Sequence, residues 1–425
     1  MSGIPADGFT TRPMTTDTIH TRPAAESAPP PIRRHFPLFD SLRAVAALMV
    51  LVYHVALSSG AASTEQWGRV VSQFNAGVAV FFVISGFLLY RPFVAARLSG
   101  GRVPGARGYA RRRALRILPA YWFALTVLAI FPGLPGVFSS DWWRYYFFLQ
   151  VYDAATQFQG LRPAWSLCVE VSFYAALPLY ALALRKLLGP RRLGVQVRAE
   201  LALLGGFWVA AFVLRMLFTG RLGLMGASDN LLYTLPSTLD WFALGMGLAL
   251  LSAAVDISGA PSRIVSFIED HSLLVWIAGG GFWVLTTIPR GDPGTVHHVA
   301  AGFLGLVLVL PAVFGGDKYP HRVLASAPLA WLGVISYGLF LWHEPMADWF
   351  FENGFDALGG GTVGSLFLLV PTLAVSVAMG WFSFHFIEKP FLRKRKRPAA
   401  GGAAAAAVGS PLVPATESGD PARGS

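Results

Sequence analysis

Asp40, Arg43 and His54 stand in one apolar run, LFDSLRAVAALMVLVYHVAL (38–57). On a helix, the eleven residues from Arg43 to His54 return to within about 20° of the same face, about 16 Å apart along the axis. Asp40, three residues before Arg43, falls on that face as well. A carboxylate, a cation and an imidazole on one stripe of a segment apolar enough for a membrane are each costly in hydrocarbon, which makes them candidates for a site with partners. The imidazole is the acid–base group of the three, because its ordinary pKa of roughly 6.5 lets it take and return a proton at neutral pH. Arg113 and Arg116, Glu170, and the pair His343 and Glu344 are the other ionisable groups set inside apolar stretches. Bland alternatives exist for several of these. A lone histidine can simply bond between helices, Arg43 can snorkel to an interface, and Arg111 to Arg113 can serve as a topology signal. Glu170 is the hardest to explain as structure, since a carboxylate at that place needs a partner or a proton.

The elements that must hold these groups are membrane helices. The chain has 425 residues, 54% hydrophobic and only 13% charged, with a mean hydropathy of +0.52. A soluble domain carries about twice that charged fraction. The expected fold is an all-α polytopic membrane protein of about ten transmembrane helices, centred on 38–57, 74–97, 114–133, 165–187, 200–219, 231–253, 272–289, 296–315, 330–351 and 362–387. Residues 1–35, rich in Thr, Pro and Ala, read as a disordered leader without the apolar core of a signal peptide, and 36–392 as the membrane domain. A basic, then low-complexity tail fills 393–425. The single Cys168 rules out an intrachain disulfide, and no Cys/His spacing suits a metal. The net charge of +11 sits in short loops after alternate segments, which argues for a membrane and against nucleic acid. Arginines and lysines at 97–113, 185–198 and 393–397 therefore place both termini in the cytoplasm, in a multi-pass protein of the plasma (inner) membrane.

With that topology, helical rise brings His54, Glu170 and the pair His343 and Glu344 to a similar depth in the outer half. Arg43 lies in the cytoplasmic half, near Arg113 and Arg116. The aromatic run WWRYYFF (142–148) is expected at the outer interface, and Gly77, Gly86, Gly245 and Gly247 at close helix contacts.

Six segments carry a family resemblance. FDSLRAVAALMVLVYH (39–54), with Arg, ten residues and His, resembles the opening signature of the membrane-bound acyltransferase-3 family. GVAVFFVISGFLLYRPF (77–93), YARRRALRILPAYW (109–122), PAWSLCVEVSFYAALPL (163–179), LGVISYGLFLWHEP (332–345) and FIEKPF (386–391) are similar to its later motifs, in family order. The resemblance covers about 40–390. It departs at Val171, where many members carry a second Glu, and at Ser41 and Ala44, which replace common Gly residues. No hydrolase-like domain is expected after the tenth segment.

The resemblance implies an integral membrane O-acyltransferase, which moves an acyl group from cytoplasmic acyl-CoA to a hydroxyl of a glycan, glycolipid or glycosylated small molecule. Acyl-CoA enters as co-substrate, with no tightly bound cofactor. Arg43, Arg113 and Arg116 would bind the donor's phosphates, since a guanidinium fork matches phosphate oxygens. His54 would be the general base on the acceptor hydroxyl, with Glu170, or less directly Asp40, orienting the imidazole. Asp40 is favoured as the ion-pair partner of Arg43. Ser85, Trp165, Ser166, Tyr337 and His343 are expected to touch substrate, and Ser85, Ser166 or His343 could donate to the oxyanion. The competing class is a proton-coupled transporter of a glycolipid or small solute, with His54 and Glu170 as relay. The absence of an inverted repeat and the gathering of arginines at one end count against it. A scaffold that keeps the site without turnover is a third reading. The acyl group, the exact acceptor, the oligomeric state and any covalent acyl intermediate are not encoded in these motifs.

Overall fold

A computed structural model describes residues 36–64, 68–224, 228–287, 293–315, 319–355 and 360–393; the expected leader 1–35 and all of the expected tail except Arg393 lie outside them. Among the described residues there is no strand, and ten helices run sixteen residues or longer. They are α1 (Leu38–Ser58), α2 (Gly77–Leu98), α3 (Ala106–Leu128), α4 (Trp165–Leu188) and α5 (Leu193–Phe218), followed by α6 (Leu235–Ser258), α7 (Ser272–Thr287), α8 (Pro293–Phe314), α9 (Ala327–Phe350) and α10 (Gly361–Phe382). Each falls on an expected segment, and α3 begins eight residues earlier than hydropathy placed it, its first turns being rich in arginine.

Eight of the ten are long and apolar enough to cross a membrane. The two exceptions have physical causes. The apolar part of α7, Ser272–Leu285, is short. The 24-residue α9 carries His343, Glu344 and Asp348 in its second half, and those side chains dilute its hydropathy.

Helix α2 is the axis of the bundle. Its span is 78% buried, against 11% for α5, which lies at the rim. A helix apolar all round belongs in the middle, where every face meets another helix. It packs along α6, while α1 packs along α9 and α9 along α10. Glycines set the α2–α6 seam and the contact of α2 with α1. A Cβ on Gly245 would lie 2.1 Å from the carbonyl oxygen of Val83, and one on Gly86 would lie 2.4 Å from that of Phe242. A Cβ on Gly77 would lie 2.5 Å from the carbonyl oxygen of Ala46, whereas Gly247 meets nothing within 4 Å. Small residues allow this approach because helices in lipid associate by backbone-close packing.

The contacts also fix relative directions. Phe82 meets Trp165 and Tyr90 meets Tyr180, so α2 and α4 run the same way. Phe82 meets Trp241 and Arg91 reaches Ser252, so α6 runs with them. Gly333 abuts Asp40 and His343 meets His54, so α9 runs with α1. Phe39 stacks on Phe87 while Gly77 abuts Ala46, so α1 opposes α2.

Near the end of α2, two arginines are tied to acids on neighbouring helices, of which Glu200 is fully buried. Arg91 donates to Asp256 at 2.5 Å and to Ser252, and Arg97 pairs with Glu200, which also accepts from Tyr90. Arg97 is therefore a structural strut as well as a positive loop charge. Breaking a buried pair is expensive because the remaining charge is stranded.

Between α3 and α4 the chain folds back over the bundle. Tyr121 Oη donates to the carbonyl oxygen of Tyr145 at 2.8 Å, and its ring stacks on Phe148. Trp142, Trp143 and Phe147 are exposed, as an interfacial belt requires, but Tyr145 and Phe148 are core residues. In this loop the backbone N–H of Ala155, with Arg144, holds the Asp153 carboxyl below the usual carboxylate range.

Candidate active site

Two cavities lie one above the other along α2. The first, of about 630 Å³, is lined by Arg43 from α1, Ser85 from α2, Arg112, Arg113 and Arg116 from α3, Ser166, Glu170 and Tyr174 from α4, and Tyr337 from α9. On α2 its lining runs from Val78 to Phe93, a length of about 22 Å at helical rise. The second, of about 410 Å³, is lined by Tyr53 and His54 from α1, Asn75, Arg162, Trp165, Tyr233 and Trp241, and His297 and His298 from α8. Val78 lines both.

In the arginine cavity, Arg43 Nη1 donates to Asp40 Oδ1 at 3.0 Å, the expected pair. The guanidinium of Arg113 lies over the rings of Tyr109 and Tyr174, at 6.0 and 5.9 Å, and its buried Nε has no partner among the described residues. Arg116 is exposed, and its charge reaches Glu388 of the FIEKPF run. The three expected arginines thus share one cavity, joined by Arg112. Such a cluster, only partly neutralised, suits a ligand with several anionic groups.

Glu170 sits in this cavity and not with His54. Its Oε1 accepts a hydrogen bond from Ser85 Oγ at 2.5 Å. The expected depth of Glu170 holds only if α4 begins at the membrane surface. Instead it is preceded by a 3₁₀ turn (Arg162–Ala164) in which Pro163 and Ala164 are already buried, and Glu170 meets Ser85 at the arginine cavity. Asp40 is likewise at the arginine end of α1 and does not orient the imidazole.

The group that does meet His54 is His343. His54 Nδ1 lies 2.9 Å from the carbonyl oxygen of Val50 and 3.1 Å from His343 Nε2. His343 Nδ1 lies 2.7 Å from the carbonyl oxygen of Phe340. A carbonyl oxygen only accepts, so both Nδ1 atoms carry the proton. His343 Nε2 is then the acceptor facing His54 Nδ1–H, and Nε2 of His54 keeps its lone pair. That is the tautomer a general base needs.

The donors expected for an oxyanion are committed elsewhere. Ser85 donates to Glu170, Ser166 Oγ to the carbonyl oxygen of Pro163 at 3.0 Å, and His343 Nδ1–H to Phe340. Tyr337 Oη donates to the carbonyl oxygen of Ile117 at 3.1 Å. Trp165 lines the histidine cavity, its ring edge-on to Tyr233.

Sequence reasoning missed Arg162. It pairs with both Glu344 and Asp348 of α9, and Asp348 also accepts from Ser58 Oγ at 2.6 Å. The three charges pin the start of α4 to the second half of α9, next to His343. Nothing in the loop sequence singles out Arg162, since its partners lie more than 180 residues away. His297, His298 and Asp240 were also missed, because each looks like an isolated polar residue in its own segment.

Residues 37–381 match the family model of the acyltransferase-3 domain, described as an acyltransferase domain. The chain belongs to the acyltransferase-3 family. The match takes in α1 to α10 and both cavities. Among similar proteins are the peptidoglycan O-acetyltransferase OatA of Listeria monocytogenes, 24% identical over 377 residues, and the O-acetyltransferase OatA of Staphylococcus aureus, 25% identical over 397. These alignments cover 84% and 85% of this chain but 56% and 58% of the relatives. The chain therefore spans a little over half the length of the curated relatives it matches. No solved structure matches it.

Proposed function

We propose that this chain is a membrane O-acyltransferase that takes an acyl group, acetyl by analogy with its relatives, from acyl-CoA and places it on a hydroxyl of an envelope glycan. In this reading both termini and the arginine cavity face the cytoplasm of a cell whose plasma membrane the bundle crosses, and the histidine cavity faces outward. The observation that carries it is the pair of cavities meeting at Val78, polycationic on one side and holding a base with a free lone pair on the other. The donor's phosphates sit with Arg43, Arg113 and Arg116, and the thioester reaches along the slot beside α2. His54 Nε2 takes the proton of the acceptor hydroxyl, whose oxygen attacks the thioester carbonyl. The C–O bond forms, the C–S bond breaks, and the imidazolium returns the proton to the departing thiolate. His343 orients His54 throughout. Peptidoglycan, the substrate in the name of the Listeria relative, is the favoured acceptor.

Donor consumption by the purified chain in proteoliposomes tests this reading. Acyl-CoA left intact in the presence of glycan would sink it and favour a transporter.

Two substitutions separate the cavities. Arg116→Ala should raise the donor KM about tenfold, the worth of one charge-assisted contact, with kcat little changed. An unchanged donor KM would detach Arg116 from the donor. Val78→Trp should act the other way, filling the shared wall so that kcat falls at least tenfold while donor binding persists. Wild-type turnover in that variant would show that the acyl group does not pass Val78.

A further inference from the structure

The histidine cavity holds a second imidazole fixed by a carboxylate. His298 Nε2 donates to Asp240 Oδ2 at 2.8 Å, and the two side chains are 4% and 3% exposed. The ring stacks on Trp241 at 4.2 Å between centroids, and Trp241 Nε1 donates to the carbonyl oxygen of His298 at 3.0 Å. Beside it, His297 Nε2 donates to Asn75 Oδ1. A buried acid–imidazole pair joining α6 to α8 adds little stability over apolar packing, and this one stands at the wall of the cavity that contains His54.

The chemistry of that wall selects a ligand class. With Nε2–H given to Asp240, a neutral His298 keeps its lone pair on Nδ1, as His54 keeps one on Nε2. These are acceptors and call for a ligand rich in O–H donors. Of the two arginines in the lining, Arg162 and Arg215, the first has its charge already met by Glu344 and Asp348. Trp165 and Tyr233, edge to face at 4.9 Å, supply aromatic surface for an apolar C–H face. A volume of about 410 Å³ is within the range of small-ligand pockets. A sugar ring offers hydroxyl donors around its edge and C–H groups on its faces.

We propose that the histidine cavity is a saccharide-acceptor site, in which His298, held by Asp240 and Trp241, is the positioning residue that turns one sugar hydroxyl toward His54. The proposal rests on the acyl-transfer reading for the fate of that hydroxyl, but the binding itself does not.

The test uses the full chain in proteoliposomes and a radiolabelled disaccharide fragment of peptidoglycan as probe. Equilibrium binding is measured first without donor, then transfer from acetyl-CoA. His298→Gln should weaken disaccharide binding at least tenfold and raise the acceptor KM in parallel, with the donor KM unchanged. Tyr233→Leu lies in the segment before α6, away from the buried pair, and should weaken binding several-fold even if His298→Gln fails to fold. Binding that responds this way without any transfer would remove the acyl-transfer reading and leave the sugar site standing. Absence of disaccharide binding in the wild type, or wild-type binding in both folded variants, would overturn the site.

Discussion

Replacing His54 with Gln is expected to lower acyl transfer by about 10²–10⁴-fold, the contribution of a positioned general base, while the protein keeps its abundance and thermal stability. Glutamine matches the reach of the imidazole and can still donate to the carbonyl oxygen of Val50 or to His343 Nε2, so the α1–α9 contact survives. What it lacks is a nitrogen lone pair that takes a proton near neutral pH. The measurement is kcat for acetyl transfer beside donor KM, since a binding defect would raise KM and a lost base lowers kcat. A variant that transfers at the wild-type rate would remove His54 from the chemistry. His343→Gln provides the contrast. A residue that orients the base through one hydrogen bond should cost less than the base itself, because the lone pair on His54 Nε2 remains.

The second large effect lies far from any reacting atom. Gly333 abuts the backbone of Asp40, and a Cβ there would lie 1.7 Å from the carbonyl oxygen of Asp40 and 2.3 Å from its carbonyl carbon. A flexible side chain could step aside, but a helix backbone cannot without moving α1. Gly333→Ala should therefore cost roughly 3 kcal/mol, the upper part of the overpacking range, and lower the thermal midpoint. The seam that opens is the one that brings Arg43 and Tyr337 to the arginine cavity at one end and sets His54 against His343 at the other. Both donor KM and kcat should worsen together, unlike the separate effects at Arg116 and His54. A stable, fully active Gly333→Ala protein would mean that α1 and α9 do not approach so closely. Gly247→Ala is the matching control, because a Cβ at that position would meet no atom within 4 Å.

The sequence alone determined what depends on local composition and on short spacing. Ten apolar stretches announced ten helices, and the Arg43 to His54 interval announced a polar stripe, because hydropathy and helical period are properties of contiguous residues. Asp40 was readable as the partner of Arg43 for the same reason, being one turn away. The six ordered motifs carried the family. Depth was harder. Glu170 was assigned to the imidazole by counting residues from the start of α4, where Pro163 and Ala164 are already buried, and only the packed helices show that it meets Ser85 instead.

Partners across the bundle were decided by the tertiary structure. The contacts of His343 with His54, Arg162 with Glu344 and Asp348, and His298 with Asp240 join residues 58 to 289 positions apart. No local pattern encodes such a pairing, because it follows from which helix faces meet. The division of the polar residues into an arginine cavity and a histidine cavity has the same origin. Helical periodicity puts side chains on a face, but packing against α2 sets the level at which each face meets its neighbours.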